Sequence, residues 1–422
     1  MVEPPSGGRR RRRWPLYLLA ALLLAAGGAY GVYRAFFEKP GDVSNPDVEF
    51  TTPAEAPKPK RKRRQFEWPV YGFTPDRTRY LETKLDPPFK KVWRRRLGHL
   101  IEFQPVLANG MLYVVPNNGK ATAIDARTGR VRWTTRVGTL NASSPAYDHG
   151  RLYIATLSGR ITCLDAKTGR QKWKRNLPSR SESSPVVVDG RLYFGSENGT
   201  VYALKAKTGR QLWTYRAGGA VKAALAYEGG KLFFGDYAGQ VTAIRARDGS
   251  RVWRSGTSGR SFGRSGNFYS TPAVAYGRVY LGNTDGFVYS FAARTGELGW
   301  RHSTGSYVYA APAVARVPGT PPTVYIGSYD GNFYALDARS GDVRWKHAAG
   351  GRISGAPTVV GRVVYFSELA SKTTSGLDVR TGRRVFKLSS GAFNPAISDG
   401  RRLYVTGYSS LFGLEPRKRR RR

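Results

Sequence analysis

Along residues 66–415, short apolar runs rich in Val, Tyr, Leu and Phe alternate with glycine-containing turns, and the whole pattern recurs about every 40 residues. One unit reads SSPAYDHGRLYIATLSGRITCLDAKTGRQKW and ends at Trp173; the next reads SSPVVVDGRLYFGSENGTVYALKAKTGRQLW and ends at Trp213. Each unit holds four runs of strand length, labelled A to D, with the tryptophan on D. Asp189-Gly190, Asn198-Gly199 and Thr208-Gly209 separate them, and such pairs favour tight hairpins. Four antiparallel strands per repeat predict a propeller blade. A fixed period of this size predicts stacked units around one axis.

The repeats can be counted in two ways. Strand A starts at Pro105, Pro145, Pro185, Leu225, Pro272, Pro312, Pro357 and Pro395. The strand-D aromatic stands at Trp93, Trp133, Trp173, Trp213, Trp253, Trp300, Trp345 and Phe386. Both series have eight members. The series opens on an orphan strand D around Trp93 and ends on A, B and C without a D. The orphan strand is therefore expected to complete the last blade and close the ring, leaving no open seam. The predicted fold class is all-β, an eight-bladed β-propeller spanning residues 66–415.

The N-terminal region breaks the pattern. Residues 14–33 contain no charge, which is about the length that spans a bilayer. Five arginines precede this stretch within a basic segment, residues 1–13, and few basic residues follow closely. The positive-inside rule then predicts a cytoplasmic N-terminus and an extracytoplasmic propeller. The expected localisation is the cell membrane, with a single-pass signal anchor. A cleaved signal peptide is the competing reading. Residues 34–65 are Pro-rich and charged and read as an extended linker. Residues 416–422 form a basic tail.

Charge changes the picture further. The chain carries 69 Lys and Arg against 29 Asp and Glu, a net +40. The ends do not account for it, since residues 65–416 keep 50 basic and 23 acidic residues. Such a surface either meets a polyanion or stays soluble by self-repulsion. The lone Cys163 excludes an internal disulfide and lies in a strand pattern, as a small core residue would. His99, His149, His302 and His347 are widely spaced, with no metal-ligand pattern.

The C-to-D hairpin reads A-x-D-x-x-T-G-x-x-x-W, complete at Ala123, Asp125, Thr128, Gly129 and Trp133. It is close to complete in the units ending at Trp173, Trp213 and Trp345. This resembles the tryptophan-docking motif of the PQQ-like (pyrroloquinoline-quinone) eight-bladed propellers. The resemblance implies that each tryptophan packs between neighbouring blades. Residues 68–80, WPVYGFTPDRTRY, resemble the lead-in before such propellers. The family includes quinoprotein alcohol dehydrogenases, which carry a disulfide of adjacent cysteines beside the quinone and a calcium ion. One cysteine cannot supply that disulfide, and no nucleophile-elbow motif suggests another enzyme class. No catalytic, cofactor-binding or metal-binding residue is therefore assigned. Another branch includes the propeller lipoprotein of the outer-membrane barrel-assembly machinery, a scaffold without cofactor. This chain lacks a lipid-anchor cysteine.

Strand direction sorts the loops. A–B and C–D turns share one end of the ring and gather Arg130, Arg170, Arg210 and Arg251, with Arg417, Lys418 and Arg419 delivered to the same end. That end is expected to face the membrane or an anionic polymer. D–A loops share the other end around the channel mouth. They offer Phe103, Gln104, Asn141, Glu182, Lys222, Arg264, Phe268, Tyr269, Tyr307, Tyr309, Arg352, Phe393 and Asn394 as candidate binding residues. Taken together, the chain reads as a monomeric, membrane-anchored propeller that binds or scaffolds envelope proteins or polymers. The alternatives are a quinone-dependent oxidoreductase and a polyanion binder, with nucleic acid disfavoured by the extracytoplasmic placement.

Overall fold

The computed structural model describes residue 19 and residues 22–30, 41–51, 66–257 and 266–417. Two compact units divide the chain. The first takes in residues 1–41 and 258–264, of which residues 19, 22–30 and 41 are described; residues 22–30 are helical. Among the described residues, no helix is long and apolar enough to cross a membrane. The rest of the expected span, residues 14–18, 20–21 and 31–33, lies outside them.

The second unit is an eight-bladed propeller. Blade 2 shows the plan: A is Ala146–Asp148, B is Arg151–Thr156, C is Arg160–Asp165 and D is Gln171–Asn176, all antiparallel neighbours. The ring closes as the count of strands requires. Phe89–Arg96 pairs with Ser410–Pro416, so the first D strand completes the sheet of the last A, B and C. Phe89 lies opposite Pro416, and the Arg417 amide donates to Pro88 O at 2.9 Å.

Burial explains the alternation. B and C strands are buried on both faces, because each blade is sandwiched between two others. Hydrophobic clusters accordingly bridge neighbouring blades; Tyr153, Cys163, Leu192 and Phe194 share one. Burial pushes the Cys163 thiol up to about 11, as expected of an inert core residue. D strands are half-exposed edges, and their outward positions carry Lys and Arg, as in QKWKRN and VRWKHA. Charge on such an edge opposes pairing with another chain.

The D-strand tryptophans join the blades. Trp133 Nε1 donates to Ala166 O at 3.0 Å, and the same bond recurs from Trp93, Trp173, Trp213, Trp253, Trp300 and Trp345. The indole lies flat over the C–D turn glycine of the next blade. A Cβ at Gly169 would stand 2.6 Å from the Trp133 ring, and its φ of 73° is left-handed as well. The turn is held by Asp165, whose Oδ1 accepts from Thr168 N and Oγ1 at 3.0 Å. The Lys172 hydrogen bond leads in pulling the Asp165 carboxyl down to about 2. Phe386 ends the series where the next blade has chain ends in place of a C–D turn. With no turn carbonyl to receive an indole, it packs edge-on against Phe89 at 5.7 Å.

Two segments before the first blade depart from the expected roles. Residues 42–51, read as linker, are bound to the propeller. Val43–Ser44 adds a fifth strand outside strand D of blade 5, Leu298–Ser303, with Val43 opposite Arg301 and Ser44 opposite Trp300. The fully buried Arg278 anchors this strap. Its guanidinium donates to Glu49 O at 2.9 Å, Asn45 O at 3.3 Å, Arg339 O at 3.1 Å and Val48 O. Gly299 makes the passage possible, since a Cβ there would lie 2.1 Å from the guanidinium. The strap runs antiparallel to strand D, from Asp42 beside Ser303 to Thr51 at the A–B turn of Tyr276. Its N-terminal end therefore lies at the D–A end of blade 5. The extended linker expected over residues 34–65 is corrected for residues 42–51, which pair with the blade because Arg278 binds their carbonyls.

Residues 66–86 are more than a lead-in: they fill the channel. Trp68 pairs with Leu107 on strand A of blade 1, Val106–Ala108. Pro69 O then accepts from Tyr147 N, Pro75 O from Tyr227 N, Asp76 O from Val274 N, Thr78 O from Val314 N and Arg79 O from Val359 N. With the Leu107 amide, which donates to Trp68 O, these belong to the innermost strands of blades 1, 2, 4, 5, 6 and 7. Arg77 reaches blade 3 through Ser184 O and Pro185 O, both at 3.3 Å, and Thr83 reaches blade 8 at Gly400 O. The stopper winds tightly enough that Phe73, Arg77 and Arg79 adopt φ of 78, 65 and 59°. Such left-handed residues each cost about 1–2 kcal/mol. The cost is offset by backbone bonds that the inner strands would otherwise lack.

Candidate binding site at the channel mouth

The stopper turns over at Tyr71, which forms part of the floor of a depression at the D–A end. Glu102, Phe103, Lys222, Tyr269, Tyr309 and Phe393 line the walls. Their sequence positions share a rule. Glu102, Glu182, Lys222, Tyr269, Tyr309 and Ser354 each stand three positions before the residue that precedes strand A, at Pro105, Pro185, Leu225, Pro272, Pro312 and Pro357. That offset was the available sequence signal. The residue one place earlier is turned away from the mouth and buried: Ile101, Asn141, Ser181, Val221, Phe268, Val308 and Ile353. Extended chain sends successive side chains to opposite sides, which separates these two loop positions.

This alternation corrects several candidate binding residues. Phe268 is fully buried and packs over Gly235, against Tyr289. Asn141 spends its amide on Val115 O and Ser143 O at 2.9 and 2.8 Å. Gln104 is buried; with its carboxamide oxygen turned to the stopper, it accepts from Gly72 N at 3.1 Å and Trp68 Nε1 at 3.2 Å. Asn394 accepts from Tyr71 Oη at 2.9 Å and Ala356 N at 3.2 Å, and donates to Glu102 O at 2.7 Å. These bonds commit all three amides to the framework, and of the three only Asn394 also lines the mouth. Tyr307 and Arg352 are exposed on the rim, and Arg352 lies over the Tyr329 ring at 5.7 Å. Arg264 lies outside the described residues. At the opposite end Arg130, Arg170, Arg210, Arg251 and Arg417 are exposed, while Lys418 and Arg419 lie outside the described residues.

Carboxylates gather at the mouth of a strongly basic protein. Lys222 bonds Glu182 at 2.8 Å, lies 3.4 Å from Glu197, and sits 5.5 Å above the Tyr237 ring. Tyr269 Oη donates to the second oxygen of Glu182 at 2.8 Å. Burial works against the Lys222 charge, yet the Glu182 bond and its neighbours push the pKa up. Burial first, and then the Glu182 charge, push Glu102 up to about 7. Its carboxylate forms no hydrogen bond or ion pair among the described residues. A tyrosine ladder borders it, with Tyr237, Tyr269, Tyr309 and Tyr329 at successive centroid distances of 6.5, 5.9 and 4.8 Å.

Below the floor sit two fully buried arginines. Arg77 also donates to Leu225 O at 2.9 Å and to Tyr71 O. Arg79 stacks on the far face of the Tyr71 ring at 4.0 Å, and its three guanidinium nitrogens have no acceptor in bonding geometry. Burial lowers the pKa of both.

The sequence profile described as outer membrane protein assembly factor BamB matches residues 89–143, 117–314 and 284–419. The chain belongs to this family. Among solved structures, BamB from Moraxella catarrhalis is similar at 18% identity and a TM-score of 0.65, over 78% of this chain and 100% of that one. Quinohemoprotein alcohol dehydrogenase ADHIIG from Pseudomonas putida HK5 is similar at 15% identity and a TM-score of 0.70, over 85% and 82%. A europium-containing methanol dehydrogenase matches at 16% and 0.69, over 83% and 91%. No curated protein matches the chain. At these identities the likeness is one of fold.

The dehydrogenase neighbours raise the question of a quinone. The depression offers ≈ 40 Å³ to the centres of water-sized spheres. About 10–15 Å³ of such space holds one water, so the depression takes a few waters or one small head group. A tricyclic quinone tricarboxylate matches neither that volume nor the negative field of Glu102 and Glu182. Among the described residues, no group of three His, Cys, Asp or Glu could hold a metal ion. The residues present do not fit the quinone.

Proposed function

We propose that the chain is a membrane-anchored, extracytoplasmic propeller that binds a protein partner on its D–A end and performs no catalysis. The observation that carries this reading is the stoppered channel. Residues 66–86 are bonded to the inner strands of the ring, so the axis offers no reaction chamber and leaves a shallow polar and aromatic mouth. Such surfaces suit protein recognition, where aromatic anchors sit within a polar rim. Membership of a family described as an outer membrane protein assembly factor agrees with a scaffolding role in the envelope. The uncharged stretch at residues 14–33, preceded by five arginines, supports the anchor and its orientation. The exposed basic turns offer a surface for anionic lipid.

Photo-crosslinking in intact cells tests the proposal. A photoreactive residue replacing Tyr307 on the rim should capture an envelope protein; one replacing Arg210 on a C–D turn should not. Capture only from Arg210, or none from either, would overturn it. Reduction of a dye by the purified chain with quinone and calcium would overturn the non-catalytic part.

A further inference from the structure

We infer that the channel mouth is a receptor for one ammonium group, the head of a lysine side chain presented by a partner protein. This rests on the D–A end being the working surface and adds the chemistry of what it holds. The size of the mouth limits the choice first. Its ≈ 40 Å³ of space for the centres of water-sized spheres suits an ammonium head better than a ring system. The walls limit it next. Tyr71, Phe103, Tyr269, Tyr309 and Phe393 present ring surface, and aromatic walls attract cations through the negative faces of their rings. The floor and rim then supply charge. Glu102 is a half-buried carboxylate with no partner among the described residues, and an unpaired carboxylate in such a place gains most from an incoming cation.

The cations already present do not fill this role. Lys222 lines the mouth, but its ammonium is taken up by Glu182 and Glu197. Arg79 lies behind the Tyr71 ring. Glu182 lies close enough to both groups to raise Glu102, after burial, and to hold the Lys222 proton, on a chain of net +40. The overall charge opposes approach of a basic partner at long range, whereas the mouth rewards it at contact. At 0.15 M salt the long-range term is screened within about 8 Å, and the contact term survives. The arrangement therefore selects a single lysine on an otherwise neutral or acidic surface, and rejects a broadly basic partner.

Protonation should control the site. Glu102 faces Glu182, Lys222 and Tyr269; the last two, both shifted upward, keep their charge state between pH 6 and 8. Glu102 takes up its proton as the pH falls through about 7 and loses its attraction for the cation. Binding should weaken about tenfold from pH 8 to pH 6, one proton being linked to release.

Fluorescence anisotropy on the purified full chain in neutral detergent at 0.15 M salt tests this with four labelled, end-blocked pentapeptides. Each has Gly on both sides of a central lysine, Nε-acetyl-lysine, arginine or glutamate. The lysine peptide should bind saturably, at least tenfold tighter than the acetyl-lysine peptide. E102Q should lower its affinity about tenfold and remove the pH dependence; Y309L should weaken it several-fold. Equal binding of the acetylated peptide, preference for arginine, or no saturable binding would overturn the ammonium site. The acetyl-lysine comparison uses the unaltered chain and needs no variant to fold. If a protein crosslinks at Tyr307 while the peptides show no charge dependence, this inference fails and the scaffold reading stands. If the lysine peptide binds as described but no protein crosslinks, the scaffold reading fails alone.

Discussion

At the residue scale, two neighbouring buried arginines do opposite things. Arg77 satisfies carbonyls from the stopper and from blades 3 and 4, whereas Arg79 has only the Tyr71 ring against it. Losing a donor leaves each buried carbonyl short by about 1–3 kcal/mol. Replacing an uncompensated buried charge by an apolar side chain is often neutral or stabilising. Arg77→Met should therefore cost about 3 kcal/mol or more, and Arg79→Met less than about 1 kcal/mol, as read from denaturant midpoints. Glu102 gives a second contrast. Its proton is held more tightly in the folded chain than in the unfolded one, so stability falls as the pH rises from about 4.5 to about 7 and is level above. Glu102→Gln should stabilise the protein by about 2–3 kcal/mol at pH 8 and leave it unchanged near pH 4. A variant equally stable at both values relative to the parent would contradict the assigned shift. Neither arginine was legible as special in WPVYGFTPDRTRY, because burial of a charge depends on the ring around it.

At the scale of elements, the strap and the docking tryptophans show how far a repeat can be read. The tryptophan, the turn glycine and the Asp–Thr cap recur because each blade must present the same dock to its neighbour. Their spacing made them visible. The strap does not repeat, and its residues 42–51 have no apolar period. What distinguishes blade 5 is Gly299 on its D strand, which lets the buried Arg278 of strand B reach the strap. Arg278→Ala should release the strap while leaving the ring intact. Hydrogen exchange at Asn45 and Thr51 should speed up by at least tenfold, with the unfolding midpoint of the propeller little changed. Unaltered exchange there would show that the strand pairing alone holds the strap.

At the scale of the whole molecule, the ring and its stopper form one cooperative body. Trp68, Leu81 and Leu85 of the stopper share a hydrophobic cluster with Leu107, Val360, Ile397 and Phe412, so they pack beside the closing blade. A chain beginning at residue 66 should unfold in a single transition close to that of the full chain. One beginning at residue 87 retains all eight blades and should still lose several kcal/mol, which thermal unfolding followed by circular dichroism would show. A midpoint unaffected by removal of residues 66–86 would reduce the stopper to a passive filling. By itself, the sequence determined the blade number, the strand order, the closure through Trp93 and the interblade dock, because repetition multiplies a weak local signal eight times. Only the tertiary structure decided that the channel is stoppered, that Phe268 and Asn394 belong to the framework, and that Glu102, Lys222 and Tyr269 meet. Those facts depend on residues hundreds of positions apart being brought to one axis, and on which side of an extended loop each one falls. Neither leaves a period in the chain.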